Sequence, residues 1–342
     1  MTEEAKDPPP RLWALLGAHA GDNNQVIALA EALQLPFETK QLDYNFFRHL
    51  GPRILGSSLL SLTARSRQSI DAVPLPDITI SSGHRSVAVT RALRRIAGGR
   101  MRSIHVGFPR VSPRHFDLVI ATPQYPIADQ PHVLRVTYAL TRAATTEPDR
   151  GDTAQLAELP HPRALLIVGG PSLYWKVDRE RTLATLAAMI EEARRASGSV
   201  LVTTSPRTSR KLRGDIRQAL HAADLPTVLA QPGGRPHYAS LLGAADSIRV
   251  TADSVAMVSD AIWTGKPVGI VPVRKSLLGS LVMGIMDTVR PGRPVYPQDL
   301  RLFWSALEEV GVSQRLAIPQ VSTNDELRTI LEHVMPIIAK AR

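Results

Sequence analysis

The sequence predicts an α/β protein with two doubly wound, Rossmann-like domains that face each other across a cleft. Short runs rich in Val and Ile alternate with amphipathic stretches, as buried parallel strands alternate with helices. The alternation stops at a polar segment, residues 141–162, and then begins again. The chain has 342 residues, of which 44% are hydrophobic, so two buried cores are feasible.

In the first half of the chain, predicted strands alternate with predicted helices. Its predicted helices cover residues 23–34, 46–67 and 85–97, and its predicted strands cover residues 11–17, 37–42, 77–81, 103–107, 117–121 and 133–137. The segment 141–162 contains Pro, Gly, Asp and Glu with little periodicity, which indicates an interdomain linker.

The second half repeats the pattern and ends in helices. Its predicted strands cover residues 164–168, 200–205, 227–231, 247–251 and 267–271. Its predicted helices cover residues 178–197, 207–223, 236–244, 254–264, 276–289, 298–310 and 323–340. We therefore predict a disordered tail at 1–10, an N-terminal domain at 11–150, a C-terminal domain at 151–322 and a terminal helix at 323–342.

Composition narrows the function classes. The absence of cysteine excludes a disulfide framework, a thiolate zinc site and a cysteine nucleophile. No run reaches the ~18 apolar residues of a membrane span, and the charged residues 1–7 do not resemble a secretion signal, so we expect a cytoplasmic protein.

The positive charge of the chain is concentrated in one region. The net charge is +10, and eight arginines but no acidic residue lie between Asp77 and Asp117. Such a block predicts an anionic partner, either lipid headgroups, nucleic acid or a phosphorylated substrate, unless the whole surface is simply Arg-rich. Nucleic acid is disfavoured because aromatic residues for base stacking are not interleaved with the arginines.

The segment from Gly17 to Gln25 follows the first predicted strand and opens a helix. At such a strand end, free N–H groups and the helix dipole favour an anionic or polar ligand. His19 could take a proton from an acceptor hydroxyl there. The alternative is a simple capping box, with Asp22 as N-cap and Gln25 at N3.

Another strand end repeats this logic in Ser81-Ser82-Gly83-His84-Arg85. Gly83 permits a close backbone approach to a ligand, and Arg85 in the first helical turn could hold an anion. The alternative is a serine cap beside a surface arginine.

Three segments of the second half suit a phosphorylated ligand. Gly169-Gly170-Pro171-Ser172 and Thr203-Thr204-Ser205 follow the first two strands, and small or hydroxyl residues there suit a diphosphate. Neither matches a dinucleotide fingerprint or a P-loop. In the segment 251–261, Asp253 or Ser254 caps a helix whose N-terminus could receive a phosphate. Asp260 could reach a ribose or sugar hydroxyl. The alternative is that these residues only mark where the helix begins and ends.

Three motifs together resemble the mitochondrial-fission ELM family, whose bacterial members are described as candidate glycosyltransferases of surface polysaccharide or lipopolysaccharide. They are Gly21-Asp22-Asn23-Asn24-Gln25, Gly169-Gly170-Pro171-Ser172 and the block from Val250 to Ser259. That last block, with Gly265-Lys266-Pro267, also looks like the donor site of GT-B glycosyltransferases. The resemblance extends over about residues 11–320.

The resemblance implies a GT-B-like fold, with an N-terminal acceptor domain, a C-terminal nucleotide-sugar domain and a terminal helix that packs back on the first domain. It implies catalysis with no metal and no cofactor, with a nucleotide-sugar as co-substrate. His19 and Asp22 are the candidate catalytic residues. The expected donor-binding residues are Gly169, Gly170, Ser172, Thr203, Thr204, Ser205, Thr251, Asp253, Ser254, Met257 and Asp260, and the expected acceptor-binding residues are Asn23, Asn24, Gln25, Ser82, Gly83 and Arg85.

Three functions therefore remain open. The first is transfer of a sugar to a lipid-linked or cell-envelope glycan acceptor at the inner membrane face, with the arginine-rich stretch on the anionic membrane surface. The second is a non-catalytic, membrane-associated adaptor of the same fold. The third is a sugar-nucleotide epimerase with the same fold, although its paired acid and base are not found in this sequence.

Overall fold

The chain divides into two compact units. The computed structural model describes residues 9–71, 74–142, 146–320 and 322–341. Unit 1 comprises Met1–Leu140 and Asn324–Arg342, and unit 2 comprises Thr141–Thr323. The division falls after Leu140, whereas the sequence placed it after residue 150. The predicted tail at 1–10 lies, apart from Pro9 and Pro10, outside the described residues.

Unit 1 contains a six-stranded parallel sheet in the order β2-β1-β3-β4-β5-β6. All six predicted strands are confirmed to within a few residues. The strands are β1 (Leu12–Leu16), β2 (Phe37–Gln41), β3 (Ile78–Ser82), β4 (Arg102–Val106), β5 (Leu118–Ala121) and β6 (Val133–Arg135).

Helices α1 (Ala20–Ala32) and α4 (Ser86–Ile96) confirm two of the predictions for unit 1. The single helix predicted over 46–67 is wrong. The segment forms a 3-10 turn at Phe46–His49, a short α2 (Pro52–Leu55) and α3 (Ala64–Asp71). Gly56 adopts a φ of +62°, which ends α2, and the Asn45 side chain donates to the carbonyls of Leu60 and Leu62, which folds the segment back.

Unit 2 contains a five-stranded parallel sheet in the order β10-β9-β7-β11-β12. The five predicted strands are again confirmed. They are β7 (Arg163–Val168), β9 (Ser199–Thr204), β10 (Thr227–Ala230), β11 (Ser247–Thr251) and β12 (Val268–Val271). A small antiparallel pair that the sequence did not predict joins β8 (Trp175–Val177) to β13 (Val273–Lys275).

One helix of unit 2 lies where a structureless linker was predicted. This is α5 (Arg150–Ala157), capped by the Asp149 side chain, which accepts from Asp152 N at 3.0 Å. Helix α5 buries little apolar surface, chiefly through Leu156, so its sequence shows little hydrophobic periodicity. The predicted helices of this unit are α6 (Arg179–Arg195), α7 (Arg210–His221), α8 (Tyr238–Ala244), α9 (Val255–Trp263), α10 (Leu277–Val289) and α11 (Leu300–Glu309).

The terminal helix α12 (Thr323–Ala339) packs within unit 1. It buries Ile330, Val334 and Ile338, and the Glu326 carboxylate accepts from Tyr138 N at 3.0 Å. No helix in the described chain combines the length and apolar character that crossing a bilayer would need.

Strand order defines one topological switch point in each unit. In unit 1 the order reverses between β1 and β3, and in unit 2 between β7 and β11. Open α/β sheets bind ligands outside the carboxyl ends of strands at this point. The four loops that follow these strands therefore contain the candidate sites.

Candidate functional site

In unit 2 the ends of β7 and β11 are joined by a compact hydrogen-bond network. Gly169 N donates to Thr251 Oγ1 at 2.8 Å, and Gly170 N donates to the Asp253 carboxylate at 2.9 Å. The Thr251 hydroxyl donates to the same carboxylate at 2.6 Å. The side chain of Asp253 is fully buried. These predicted donor-site residues are therefore neighbours. Asp253 links the loop after β7 to the end of β11 through its hydrogen bonds with Gly170 and Thr251.

Packing explains both glycines at the end of β7. A Cβ atom on Gly169 would overlap the Asp253 carboxylate, and one on Gly170 would overlap the backbone of Arg207. The N–H groups of both glycines are engaged by Thr251 and Asp253, so they differ from the free phosphate donors that the sequence predicted. A phosphate at this switch point would need other donors.

The N-terminus of α9 supplies such donors. Ser254 is the N-cap, as predicted, and its side chain accepts from Met257 N at 3.4 Å. The N–H groups of Val255 and Ala256 precede the first intrahelical hydrogen bond, which runs from Val258 N to Ser254 O. These two donors, at the positive end of the helix dipole, form an arrangement that favours an anion.

Arg207 and Thr208 complete this edge of unit 2, and sequence reasoning missed both. The Thr208 hydroxyl lies 2.6 Å from Gly169 O, which ties the loop after β9 to the loop after β7. The half-exposed Arg207 guanidinium donates to Pro171 O at 2.8 Å and lies 3.8 Å from the Asp253 carboxylate. Burial raises the pKa of Asp253, while Thr251, Gly170 and Arg207 oppose that shift. The run of hydroxyl residues from Thr203 to Ser209 was the available signal.

The remaining predicted donor residues differ in how they are used. The Thr204 hydroxyl is buried at the end of β9 with no hydrogen-bond partner in the described chain, and Thr203 is also buried there. Ser172 N and its hydroxyl both donate to Trp175 O, at 2.8 Å and 3.4 Å. The Ser205 hydroxyl accepts from Arg207 N at 3.2 Å, so Ser172 and Ser205 stabilise loops.

Asp260 is engaged inside unit 2. Its carboxylate accepts from the hydroxyl of Thr141 and, at 3.1 Å, from the hydroxyl of Tyr238. Burial raises the pKa of Asp260 to about 6, and these two hydrogen bonds oppose the shift. Both oxygens therefore already have donors, and a ribose or sugar hydroxyl would have to displace one of them.

In unit 1 the loop between β1 and α1 is fixed by one asparagine. Asn23 Oδ1 accepts from Gly17 N at 2.8 Å, and Asn23 Nδ2 donates to Gly17 O at 2.9 Å. Helix α1 begins at Ala20 with His19 as N-cap, so the interpretation of Asp22 and Gln25 as a capping box is wrong. Asp22 instead lies within the first helical turn.

The Asp22 carboxylate lies against the loop that follows β3. A Cβ atom on Gly83 would be 3.2 Å from Asp22 Oδ2, and Gly83 has a φ of +73°, which favours glycine. No described residue donates a hydrogen bond to this carboxylate. Burial raises the pKa of Asp22, and the nearby His19 opposes the shift. A desolvated carboxylate at a switch point is a suitable proton acceptor.

Two further titratable side chains, His84 and Tyr125, lie in the loops of unit 1 near His19 and Asp22. The pKa of His84 is lowered to about 4, chiefly by burial and next by the charges of Arg110 and Arg85. Burial raises the pKa of Tyr125 to about 12, and the Asp22 charge adds to this shift. Tyr125 also covers Gly107 at the end of β4, where a Cβ atom would be 3.6 Å from its hydroxyl. His84 belongs to the loop that the sequence singled out after β3, and Tyr125 lies in the loop that follows β5.

The predicted acceptor residues of unit 1 are partly structural. The Ser82 hydroxyl donates to Val106 O at 2.8 Å, and the Gln25 side chain donates to Gly21 O at 3.5 Å. Arg85 is the N-cap of α4, and its Nε is buried without a hydrogen bond to a described residue. Asn24 is exposed.

A cavity of about 390 Å³ with a basic lining lies on unit 1, and we call it the arginine pocket. The charge of Arg94 is partly balanced by Asp117 at 3.2 Å. Burial lowers the pKa of His115, and Arg91 and Arg94 lower it further, so the local potential is positive. The pocket is lined by Ser57, Arg91, Arg94, Arg95, Gly99, Arg114 and His115.

Another group in the described part of unit 2 has the chemistry of metal ligands. Asp149, Asp152 and His237 each offer a ligand atom, and these atoms lie within 4.8 Å of one another. Arg235 already lies 3.2 Å from Asp149 and 3.6 Å from Asp152. His237 Nδ1 lies 2.6 Å from Asp152. Arg235 already places a positive charge beside both carboxylates. The expectation of metal-independent function stays a prediction.

The two units, each with a parallel sheet and a topological switch point, have a GT-B-like fold, as the sequence predicted. The structure of UDP-GlcNAc 2-epimerase from Methanocaldococcus jannaschii matches with a TM-score of 0.51 and 13% identity, over 95% of this chain and 99% of that chain. The structure of MurG from Acinetobacter baumannii matches with a TM-score of 0.46 and 13% identity, over 98% and 95%. The likeness in fold rests on the first of these.

The family model described as Mitochondrial fission ELM1 matches residues 20–279, and the chain belongs to this family. The Arabidopsis thaliana protein named mitochondrial fission protein ELM1 is 29% identical over 227 residues. That match covers 57% of this chain and 51% of the relative, so the chain spans about half the length of the curated relative it matches.

Proposed function

We propose that this protein transfers a sugar from a nucleotide-diphosphate donor to a lipid-linked or cell-envelope glycan acceptor at the cytoplasmic face of the inner membrane. Unit 2 binds the donor, and unit 1 binds the acceptor. The GT-B-like fold and the pair of switch-point sites support this division. The observation that carries the proposal is the Asp22 carboxylate, which is desolvated, lacks a described hydrogen-bond donor and lies at the switch point of unit 1.

The donor diphosphate is assigned to the N-terminus of α9. The N–H groups of Val255 and Ala256 bind phosphate oxygens, and the half-exposed Arg207 guanidinium adds a positive charge. Thr251 and Asp253 keep the strand ends at a fixed separation. The proposal therefore assigns the charge that develops on the leaving diphosphate to a helix dipole and a guanidinium.

The acceptor hydroxyl is assigned to the neighbourhood of Asp22. As the acceptor oxygen bonds to the sugar carbon, the bond between that carbon and the diphosphate oxygen breaks, and Asp22 takes the hydroxyl proton. His19 is the alternative base. Burial raises the pKa of Asp22, which makes it a stronger base than an ordinary surface carboxylate.

Nucleotide binding tests the donor half of the proposal. Titration calorimetry with UDP, GDP, CMP, dTDP and their common sugars should reveal one nucleotide that binds. Ala256→Asp places a negative charge at the second position of α9, where it suits the helix dipole but repels a diphosphate. It should weaken binding at least tenfold. Ala239→Asp makes the same change at the second position of α8 and should leave affinity unchanged.

Two results would contradict this assignment. Equal effects of the two substitutions would place the nucleotide elsewhere. If a folded sample binds none of these nucleotides, the result would favour the non-catalytic, membrane-associated adaptor. Once a donor is identified, product analysis separates transfer to an acceptor from epimerisation of the donor sugar.

The second candidate is a non-catalytic, membrane-associated adaptor, and the arginine pocket favours it. Cationic side chains around one cavity suit an anionic surface or a phosphorylated group. Arg91→Gln with Arg95→Gln should reduce binding to anionic vesicles. The control, Arg213→Gln with Arg217→Gln on α7, removes the same amount of charge outside the arginine pocket and should not reduce it. Vesicle binding that depends on the pocket, in a protein without nucleotide affinity, would support the adaptor.

A further inference from the structure

Helix α10 of unit 2 has an exposed apolar stripe that the proposed catalysis does not use. Its exposed fractions include 87% for Leu277, 62% for Leu281 and 69% for Val289. The stripe, which we call the α10 stripe, consists of Leu277, Leu278, Leu281, Ile285 and Val289. It is about 18 Å long, because a helix rises about 1.5 Å per residue. A contiguous apolar surface of this kind is unusual and marks a binding surface.

The position of the stripe on the helix is set by packing. The opposite side of α10 is fixed against unit 2 through buried Met283 and through Gly279, where a Cβ atom would overlap the Tyr174 carbonyl. Spacings of one, four, eight and twelve residues from Leu277 place the five apolar side chains within one arc of about 120°. The helix is therefore anchored, and its outward arc is apolar.

Charge identifies the partner of this surface. Arg274 and Lys275 are exposed directly before α10, and Arg290 and Arg293 are exposed directly after it. The acidic residue within the helix is Asp287, which pairs with Arg301 at 3.4 Å. An apolar stripe with basic residues at both ends complements the acyl and anionic headgroup layers of a membrane surface.

We propose that α10 lies in the plane of an anionic bilayer surface, with its stripe in the acyl-headgroup boundary and its four basic flanking residues at lipid phosphates. This deepens the membrane association in the proposed function but is independent of sugar transfer and of the arginine pocket. The Ser276 hydroxyl at the start of α10 donates to Leu173 O at 3.3 Å, in the loop that leads from the candidate donor site. The bilayer surface would therefore meet unit 2 beside the loop that follows β7.

Vesicle binding by the full chain tests the surface. Leu281→Ser with Ile285→Ser should lower partitioning into vesicles of phosphatidylcholine and phosphatidylglycerol, mixed two to one, by at least about tenfold. Ile318→Ser with Met335→Ser removes two exposed apolar side chains elsewhere and should have little effect. Arg274→Gln with Lys275→Gln should reduce the preference over pure phosphatidylcholine vesicles. Nucleotide binding, measured on the same variants, should not change, which separates this proposal from the donor assignment.

Site-specific labelling gives a readout that does not depend on affinity. The chain has no cysteine, so Leu281→Cys and Ser280→Cys each provide one site for an environment-sensitive fluorophore. With anionic vesicles, the label at 281 should shift to the blue far more than the label at 280, which faces away from the stripe. Equal, water-like spectra at both positions would overturn the proposal. A blue shift that grows with protein concentration without vesicles, with a doubled mass, would assign the stripe to a second copy instead.

Discussion

Replacing Asp260 by Asn should remove a specific part of the pH dependence of unit 2. Burial raises the pKa of the Asp260 carboxyl to about 6 in the folded protein. The unfolded chain has a value near 3.9. Because the folded state binds the proton more tightly, this group stabilises the fold below pH 4, and that contribution is lost as the pH rises through 6. The amide introduced by Asp260→Asn does not titrate, so the variant lacks this contribution.

The magnitude follows from the difference between the two pKa values. A shift of about two units corresponds to about 3 kcal/mol, and about 2 to 3 kcal/mol of it falls between pH 4 and pH 7.5. Between pH 4 and pH 7.5, the unfolding free energy of the wild type should therefore fall by about 2 to 3 kcal/mol more than that of Asp260→Asn. Losing one of the hydrogen bonds from Thr141 and Tyr238 changes the absolute stability at every pH but not this difference.

Urea unfolding followed by tryptophan fluorescence measures the effect. Three of the four tryptophans, Trp175, Trp263 and Trp304, lie in unit 2, so its transition can be followed. Asp224→Asn, which neutralises an exposed carboxylate of the same unit, is the matched control. Parallel pH profiles for the wild type and Asp260→Asn would mean that Asp260 is not desolvated in the folded protein and that its pKa is not raised.

Three further predictions concern the candidate sites. Gly169→Ala should destabilise unit 2 by about 2 kcal/mol or more, because the new Cβ overlaps Asp253. The control, Gly214→Ala in α7, adds a Cβ that meets nothing within 4 Å and should stabilise the unit by about 0.5 to 1 kcal/mol. Equal urea midpoints for the two variants would contradict this prediction. Ser254→Ala should lower stability by about 1 kcal/mol through loss of the α9 cap, and an unchanged midpoint would mean the cap is dispensable. Asp22→Asn should leave stability equal or higher at pH 7, since it removes a desolvated charge, and should abolish sugar transfer; full turnover would exclude Asp22 as the base.

The elements of this fold could be predicted from local patterns. Runs such as Ala164–Val168 and Val200–Thr204 are continuous apolar segments ending in Gly, Thr or Ser, and they form β7 and β9 almost to the residue. The error over 46–67 had a visible cause, because Gly51-Pro52 and Gly56 interrupt the helical pattern. Helix α5 was missed because it buries little apolar surface.

The candidate sites could be located only in part. The loops after β1, β3, β7 and β11, which were chosen because Gly, Ser, Thr and Asp suit turns near a ligand, do lie at the two switch points. The roles of individual residues could not be predicted. Asp253 looked like a ligand contact, but it bonds Gly170 and Thr251, and Asp260 is held by Tyr238 from a separate helix. Arg207 was identified only through its neighbours in space, Pro171 and Asp253.

Local sequence was enough to predict the two βα series, their hydroxyl-rich and glycine-rich strand ends and the ELM-family motifs, since each depends on residues close in the chain. Tertiary structure alone decided the strand orders β2-β1-β3-β4-β5-β6 and β10-β9-β7-β11-β12, which place the switch points beside Asp22 and Asp253. It also decided which carboxylates are desolvated and which side of α10 stays exposed. Burial and hydrogen bonding depend on residues far apart in sequence, and no local pattern encodes which of them become neighbours.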